Sequence, residues 1–328
     1  MTLRGSGGPA DPAITIRPAG DHRLIAWAES VGPAVTLDLA PPLEEPPAEL
    51  DVLCWNLAIG RARLEELLDH LRALGLLDRP GGRAARPLVV LAQEAYREGA
   101  EIPVRPAGRM RAHGGRGGGR RATDIVATAT GLGMSLRYVP SMGNRSAGSD
   151  RGNAILASAA LGESEAWELP LVRQRRVAVV AALAGLPGVR FASAHLENRA
   201  PFRAGRLGRP GGSTGRAAQA GVLADLASSR PGDVVLGADL NSLLGRRDPA
   251  FRRLAEHGFV EPEGARVWSR TMRGPLRLMV DHVLVRAAGA IRDVRVQRID
   301  PKRLLGASVF GSDHHPLLAR VRLSGADI

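Results

Sequence analysis

The 328-residue chain is predicted to be an α/β (α+β) protein in which two mixed β-sheets pack face to face with helices outside. Three observations carry that prediction. Strand-like apolar runs outnumber helical ones, hairpin-like steps are mixed with helical crossovers, and 44% apolar residues can build a sizeable core. A purely parallel doubly wound sheet would need a crossover between every pair of strands, which this order of runs does not offer. No fixed-period repeat appears, which argues against a solenoid or propeller.

Taken in order, residues 1–48 hold two strand-like pieces, AITIRPAG and AVTLDLA, and a proline-rich link. They form an N-terminal extension or supply an extra edge strand. The main domain occupies residues 49–328. DVLCWNLAIG (51–60) reads as a strand, and Leu64, Leu67, Leu68, Leu71 and Leu74 then recur at helical spacing. RPLVVLAQEAYREG (86–99) is a second buried strand, expected to end on Gln93 and Glu94. The Arg/Gly-rich segment at about 99–122 cannot build a core and reads as a loop. TDIVATATGLG is a helix and SLRYVPSM a strand. RGNAILAS follows, then RRVAVVAAL and VRFASAHLEN, an antiparallel pair joined by AGLPG. A second Arg/Gly/Pro loop spans 199–215 and leads into a helix from about Arg216 to Ser228. VVLGADLNS (234–242) is a buried strand, and a helix lies near DPAFRRLAEHG. The last strands are LRLMVDHVLVR, IRDVRVQRI and PLLARVRL, the last introduced by GSDHHP.

No apolar run approaches the roughly 20 residues that span a bilayer, and the first residues lack the charged and apolar regions of a signal peptide. A soluble cytoplasmic chain without stable membrane association, acting as a monomer, is the expectation. Cys54 is the single cysteine and lies in an apolar run, so a buried, inert thiol is expected. The net charge of +12 suits a polyanionic partner. Almost all of the positive charge is arginine, with Lys302 the one lysine, and aromatics at 3% leave few rings for base stacking. Nucleic acid is permitted rather than demanded.

Asp239 and Asn241 close VVLGADLNS one residue apart, so period-2 geometry would put an acid and an amide on one face. A simple Asx turn explains the same letters. Other strands end in polar residues too, and the set is Asn56, Glu94, Asn153, His195, Asp239, Asn241, Asp281, Asp313 and His314. An unpaired polar group in such a run costs on the order of a few kcal/mol, so these side chains must satisfy one another, water or an ion. Glu94, Asp313 and Asn56 are oxygen donors suited to a hard cation, magnesium or manganese, and no Cys/His spacing suits structural zinc.

CWN (54–56), QE (93–94), RGNAIL (151–156), HLE (195–197), GADLN (237–241), DHV (281–283) and SDHHP (312–316) occur in that order. The series resembles the motifs of the endonuclease/exonuclease/phosphatase superfamily over about residues 51–323. The resemblance implies a DNase I-like four-layer sandwich and metal-assisted hydrolysis of phosphate esters. It further implies that Glu94 is the central metal ligand, supported by Asn56 and Asp313. Asp239 would orient or deprotonate the attacking water, and Asn241 would hold that water or a phosphate oxygen. His195 and His314 would donate to phosphoryl oxygens, with Asp281 fixing the tautomer of His314. Asn153 would position the phosphate.

Several pairings stay open at this level. His315 stands beside His314 and His282 beside Asp281; the spacing to Ser312 favours His314, and Asp281 suits the orienting role better than His282. Asn144, Tyr96 and Tyr138 are pocket-lining candidates. Arg175 and Arg176 either contact substrate or sit on a solvated edge. The two Arg/Gly loops follow Glu94 and His195 and would emerge on the catalytic side to clamp a polyanion. The expected activity is a divalent-metal-dependent phosphodiesterase, in first place a nuclease. The alternatives are a sphingomyelinase-like or inositol or lipid phosphatase, and a catalytically silent binding protein of the same fold.

Overall fold

A computed structural model describes residues 14–79, 85–104, 122–144, 148–198, 212–242, 244–265, 271–272, 278–300 and 310–324. Both Arg/Gly loops fall largely outside the described residues, at 105–121 and 199–211.

One sheet has six strands, in the order β1 (Thr15–Arg17), β7 (Leu161–Leu169), β8 (Arg176–Leu183), β9 (Val189–His195), β10 (Asp233–Asp239) and β11 (Asp281–Arg286). The other has seven, in the order β12 (Ile291–Arg298), β13 (Leu317–Leu323), β3 (Glu49–Asn56), β4 (Leu88–Glu98), β6 (Ser149–Ala157), β5 (Ser135–Gly143) and β2 (Val35–Leu37). Each sheet contains a parallel pair joined by a helix. In the first it is β9 and β10 with α4 (Gly212–Ser228) between; in the second it is β3 and β4 with α2 (Leu64–Ala73). The remaining helices are α1 (Ile25–Ala28), α3 (Ile125–Leu132) and α5 (Pro249–Glu256).

Strand alternation builds the layers. In β3, Leu50, Val52 and Cys54 enter the core between the sheets, while Leu53 and Trp55 face the helices. Leu67, Leu68 and Leu71 of α2 complete that outer layer, each worth about 1.5–3 kcal/mol when fully buried. Leu74, expected on the same stripe, is the residue after the helix and stays exposed. On the opposite side, Ala220, Leu223 and Ala224 of α4 and Leu254 of α5 cover Val234, Leu236 and Ala238 of β10. The result is a four-layer helix–sheet–sheet–helix sandwich, the architecture expected from the sequence.

Local chemistry sets the helix ends. Asp124 caps α3 by accepting from Val126 N and Ala127 N, and Gly133 ends it in the left-handed region. Asp248 caps α5, with Pro249 in the first turn. The sheets approach closely at Gly237, where a Cβ would stand 2.8 Å from Leu91 Cδ1 and 2.9 Å from Cys54 Sγ.

Two points differ from the sequence reading, and a third resolves an alternative it left open. β4 does not end at Glu94 but continues to Glu98 across an irregularity between Ala92 and Ala95. A strand absent from the sequence reading, β7, lies in LGESEAWEL, whose mixed polar pattern carries a weak period-2 signal. The N-terminal piece supplies two edge strands: β1 pairs parallel with β7 and β2 antiparallel with β5, one on each sheet.

Candidate active site

The parallel pairs bring their carboxyl ends to one end of the sandwich. Asn56, His195 and Asp239 are the last residues of β3, β9 and β10, and Asp281 is the first of the antiparallel β11. Asp239 lies opposite His195 on one side and Asp281 on the other. Counting by twos from Cys54, Phe191, Val235 and Val283, all in the intersheet core, puts these four on the inner faces.

They meet directly. Asn56 Nδ2 donates to Asp239 Oδ2 at 2.9 Å, and His195 Nε2 lies 3.5 Å from the same oxygen. His314 Nδ1 donates to Asp281, 2.8 Å from Oδ2 and 3.0 Å from Oδ1. Ligand-type atoms of Asp239, Asp281 and His314 all lie within 4.8 Å of one another. A supporting layer holds the group in place. Ser312 Oγ donates to Asn56 O at 2.7 Å and accepts from His314 N at 3.0 Å, and Trp55 Nε1 donates to His314 O at 2.9 Å. Thr271 Oγ1 accepts from Val280 N and Asp281 N.

Burial sets the charge states. It works against a charged His314, but the charge and hydrogen bonds of Asp281, with Asp239 and Asp313 nearby, hold the imidazole up to about 10. Burial and the neighbouring Asp281 push Asp239 up to about 7, against the opposing pull of His314 and the bonds from Asn241 and Asn56. Burial together with Arg176, Arg151 and His314 drives His195 well below the usual histidine range. Around neutrality, then, one imidazole is cationic, the other is neutral, and between them sits a carboxylate near its midpoint.

Glu94 joins from the bulged part of β4. Gln93 is inward, with Nε2 bonded to Ser193 Oγ and Gly237 O, so plain alternation would turn Glu94 toward the helices. Instead Glu94 takes φ 49°, costly for a side chain with a Cβ, and re-aims into a cleft. That cleft is lined by Glu94, Ser141, Met142, Arg151, Gly152, Asn153, Arg176 and His195. Among these, Ser141, Met142 and Arg151 had no assigned role in the sequence reading, although Arg151 opens the RGNAIL motif.

The other candidates lie as follows. Asn153 is in the middle of β6 rather than at a strand end, and its Nδ2 donates across to Val177 O. Asn241 lies beyond the end of β10 with φ 48°, so the alternation argument fails there. Its backbone N donates to Asp239 Oδ1, the Asx turn, and its Nδ2 donates to Leu196 O. Arg175 is tied to Glu168 at 2.6 Å and to Pro140 O at 2.7 Å, away from the cleft. Asn144 is buried but does not line the cleft. Asp313 is half exposed, 3.7 Å from Arg61. Tyr138 donates to Asp150 in the interior, and Tyr96 donates to Glu98. His282 lies 2.9 Å from Ser242 Oγ and 3.2 Å from Glu261, and His315 Nδ1 faces Ile299 O. Cys54 is buried with its thiol pushed well above the ordinary range by burial.

The donor set fits a hard divalent cation. Asp239 and Asp281 stand within reach of each other in a buried place, where burial first and the charge of Asp281 second raise Asp239 against the pull of His314, and a cation beside Asp239 would oppose both. Glu94 adds a further carboxylate, directed into the adjoining cleft.

Solved structures of low identity share this fold. An endonuclease/exonuclease/phosphatase from Beutenbergia cavernae is 18% identical, with a TM-score of 0.57 over 85% of this chain and 72% of that one. The 3'-5' exonuclease of Neisseria meningitidis is 18% identical, with a TM-score of 0.51 over 82% of this chain and 98% of that one. The human Nocturnin catalytic domain, with a bound sulfate anion, is 16% identical, with a TM-score of 0.53 over 89% of this chain and 98% of that one. No curated protein sequence matches the chain. The Endonuclease/Exonuclease/phosphatase family model matches residues 53–314, a span that holds the whole cluster from Asn56 to His314, and the chain belongs to that family.

Proposed function

We propose that the protein is a divalent-metal-dependent phosphoesterase that hydrolyses phosphodiester bonds, with nucleic acid as substrate. The observation that supports this reading best is geometric: the buried Asp239 lies against Asn56 and His195 and within reach of a His314 braced by Asp281. Asp239 takes the proton of the attacking water, a role for which a carboxyl midpoint near the working pH is well suited. Asn56 and the backbone of Asn241 fix the orientation of that carboxylate. His314 donates through Nε2 to a phosphoryl oxygen while Nδ1 stays on Asp281, so charge gathering on the phosphoryl group meets a preorganised cation. His195, kept neutral, positions an oxygen on the other side of Asp239. A magnesium or manganese ion held by Glu94 with Asn56 and the neighbouring carboxylates would supply Lewis-acid polarisation of the phosphoryl oxygens.

The test is a panel of plasmid DNA, RNA, sphingomyelin and inositol phosphates, run with magnesium and with chelator. Metal-dependent cleavage of nucleic acid is expected. Glu94→Ala and His314→Ala should each lower turnover by about 10²–10⁴-fold while leaving the circular dichroism spectrum intact. Normal turnover in both variants would remove the mechanism, and fast metal-dependent cleavage of a lipid or inositol phosphate alone would replace the substrate. No hydrolysis of anything would favour a silent binding protein.

A further inference from the structure

Two arginines enter the cleft beside Glu94 and His195, one from each sheet. Arg151 lies on β6 of the seven-stranded sheet and Arg176 begins β8 of the six-stranded sheet. Both are more than nine-tenths buried, at 6% and 4% exposure. Among the described residues neither forms a salt bridge, and Arg176 Nε has no hydrogen-bond partner. The contrast with their neighbours is sharp. Arg175 is neutralised by Glu168, Arg97 by Asp150 and Arg216 by Asp248, all in the interior. Arg176 has carboxylates in its neighbourhood but none at salt-bridge distance among the described residues, and burial together with the repulsion of Arg151 lowers its proton affinity against the pulls of Glu197, Glu94 and Asp239.

The surroundings select the kind of anion. Arg151 Nη2 rests on Met142 Sδ at 3.5 Å, and Met142 is itself packed against Trp27, so one wall is apolar and rigid. Asn153 and Ser141 supply neutral polar groups, and Glu94 carries the one opposing charge of the lining. Two guanidinium groups match a dianion. A phosphate monoester approaches two negative charges near pH 7, whereas an internal phosphodiester carries one. Depth points the same way. An internal phosphate is flanked by sugar on both sides and runs along a surface, but a terminal phosphate can be inserted end-on between the sheets.

We propose that Arg151 and Arg176 form a subsite for a terminal phosphate monoester next to the reacting centre, so that the enzyme acts on strand ends or on small phosphorylated nucleotides and not within intact duplex. The assignment of a reacting centre rests on the proposed function; the anion subsite itself does not.

Titration calorimetry of metal-free protein with inorganic phosphate tests the subsite without turnover. Loss of a charge-assisted contact should weaken binding by about tenfold or more in Arg151→Met and in Arg176→Met. Arg151→Lys should recover part of it, and Arg230→Met, at a surface arginine paired with Glu163 outside the cleft, should bind within about twofold of the parent, the tenfold step being the size of one such contact. Thermal melts establish that each variant is folded at the assay temperature. Parent-like phosphate binding in both Met variants, or an equal loss in Arg230→Met, would overturn the subsite. The substrate arm compares a 5'-phosphorylated, a 3'-phosphorylated and a hydroxyl-ended dinucleotide with closed plasmid. A preference in kcat/KM for a phosphorylated end, reduced at least about tenfold in Arg151→Met, is the expected result. Equal cleavage of all four would overturn the end-directed reading, whereas inactivity on every substrate with phosphate binding intact would fault the proposed function alone.

Discussion

Asp281 decides the state of His314. With the carboxylate in place the imidazole stays protonated to about pH 10; without it, burial disfavours the cation and only the charges of Asp239 and Asp313 oppose that. In metal-free Asp281→Asn the His314 midpoint, followed by the ring proton resonances, is expected to fall from about 10 to below the ordinary 6.5. A midpoint that stays high would mean that Asp239 and Asp313 carry the effect. Stability follows with a definite sign. A histidine whose folded pKa is raised contributes fully below its unfolded value and loses that contribution as pH rises through the folded one. The parent protein should therefore lose more stability between pH 7 and pH 10 than Asp281→Asn, measured by urea unfolding at each pH.

At the scale of elements, two strands carry the site by being irregular. β4 is kinked at Glu94, and β6 passes so close to β5 that a Cβ on Gly152 would overlap Val139 O and Pro140 Cα, both backbone. A backbone neighbour cannot swing aside as a side chain can, so Gly152→Ala must shift β5 or β6 and, with it, Arg151 and Asn153. A destabilisation of about 1–3 kcal/mol is expected, with weaker phosphate binding, measured by denaturant titration and calorimetry. Glycine at Gly237 answers a different neighbour. There the contacts are the side chains of Leu91 and Cys54, so Gly237→Ala should cost less than Gly152→Ala. If Gly237→Ala costs more, the sheets pack more rigidly at that point than β5 and β6 do along their edge.

The whole molecule closes over a segment that precedes the family match. Residues 14–48 give β1 to one sheet and β2 to the other, and the stretch between them is anchored on a buried hub. Asp150 there accepts from Gly32 N at 2.9 Å, from Tyr138 at 2.7 Å and from Arg97 Nη2 at 2.5 Å, while Arg97 Nη1 donates to Pro33 O. Trp27 from the same stretch backs Met142 on the wall of the cleft. Removing residues 1–34 would uncover an edge strand and leave Asp150 short of one donor. A loss of at least about 1–3 kcal/mol is expected from the donor alone, with weaker phosphate binding through Met142 and Arg151. A truncated protein with parent-like melting temperature and binding would show the segment to be a dispensable extension.

Much of this was legible in the letters. Continuous apolar runs such as DVLCWNL and DVVLGAD declare strands buried on both faces, and leucines at helical spacing declare α2, because burial leaves those patterns in the sequence. The ordered motifs marked Asn56, Glu94, Asn153, His195, Asp239, Asn241, Asp281, Asp313 and His314 as a set, of which Asn56, His195, Asp239, Asp281 and His314 meet directly. Tertiary structure decided what local periodicity cannot encode. Glu94 reaches the cleft through a bulge and a left-handed backbone, Asn241 leaves the face that alternation assigned to it, and Arg175 and Arg176, adjacent in sequence, part company. The neighbouring strand β7, which brings Glu168 to Arg175, and the opposing sheet, whose residues line the cleft around Arg176, determine which of those arginines finds a carboxylate and which faces an open cleft. The physical reason is that chain geometry fixes direction over two or three residues, whereas charge compensation depends on neighbours brought from far along the chain.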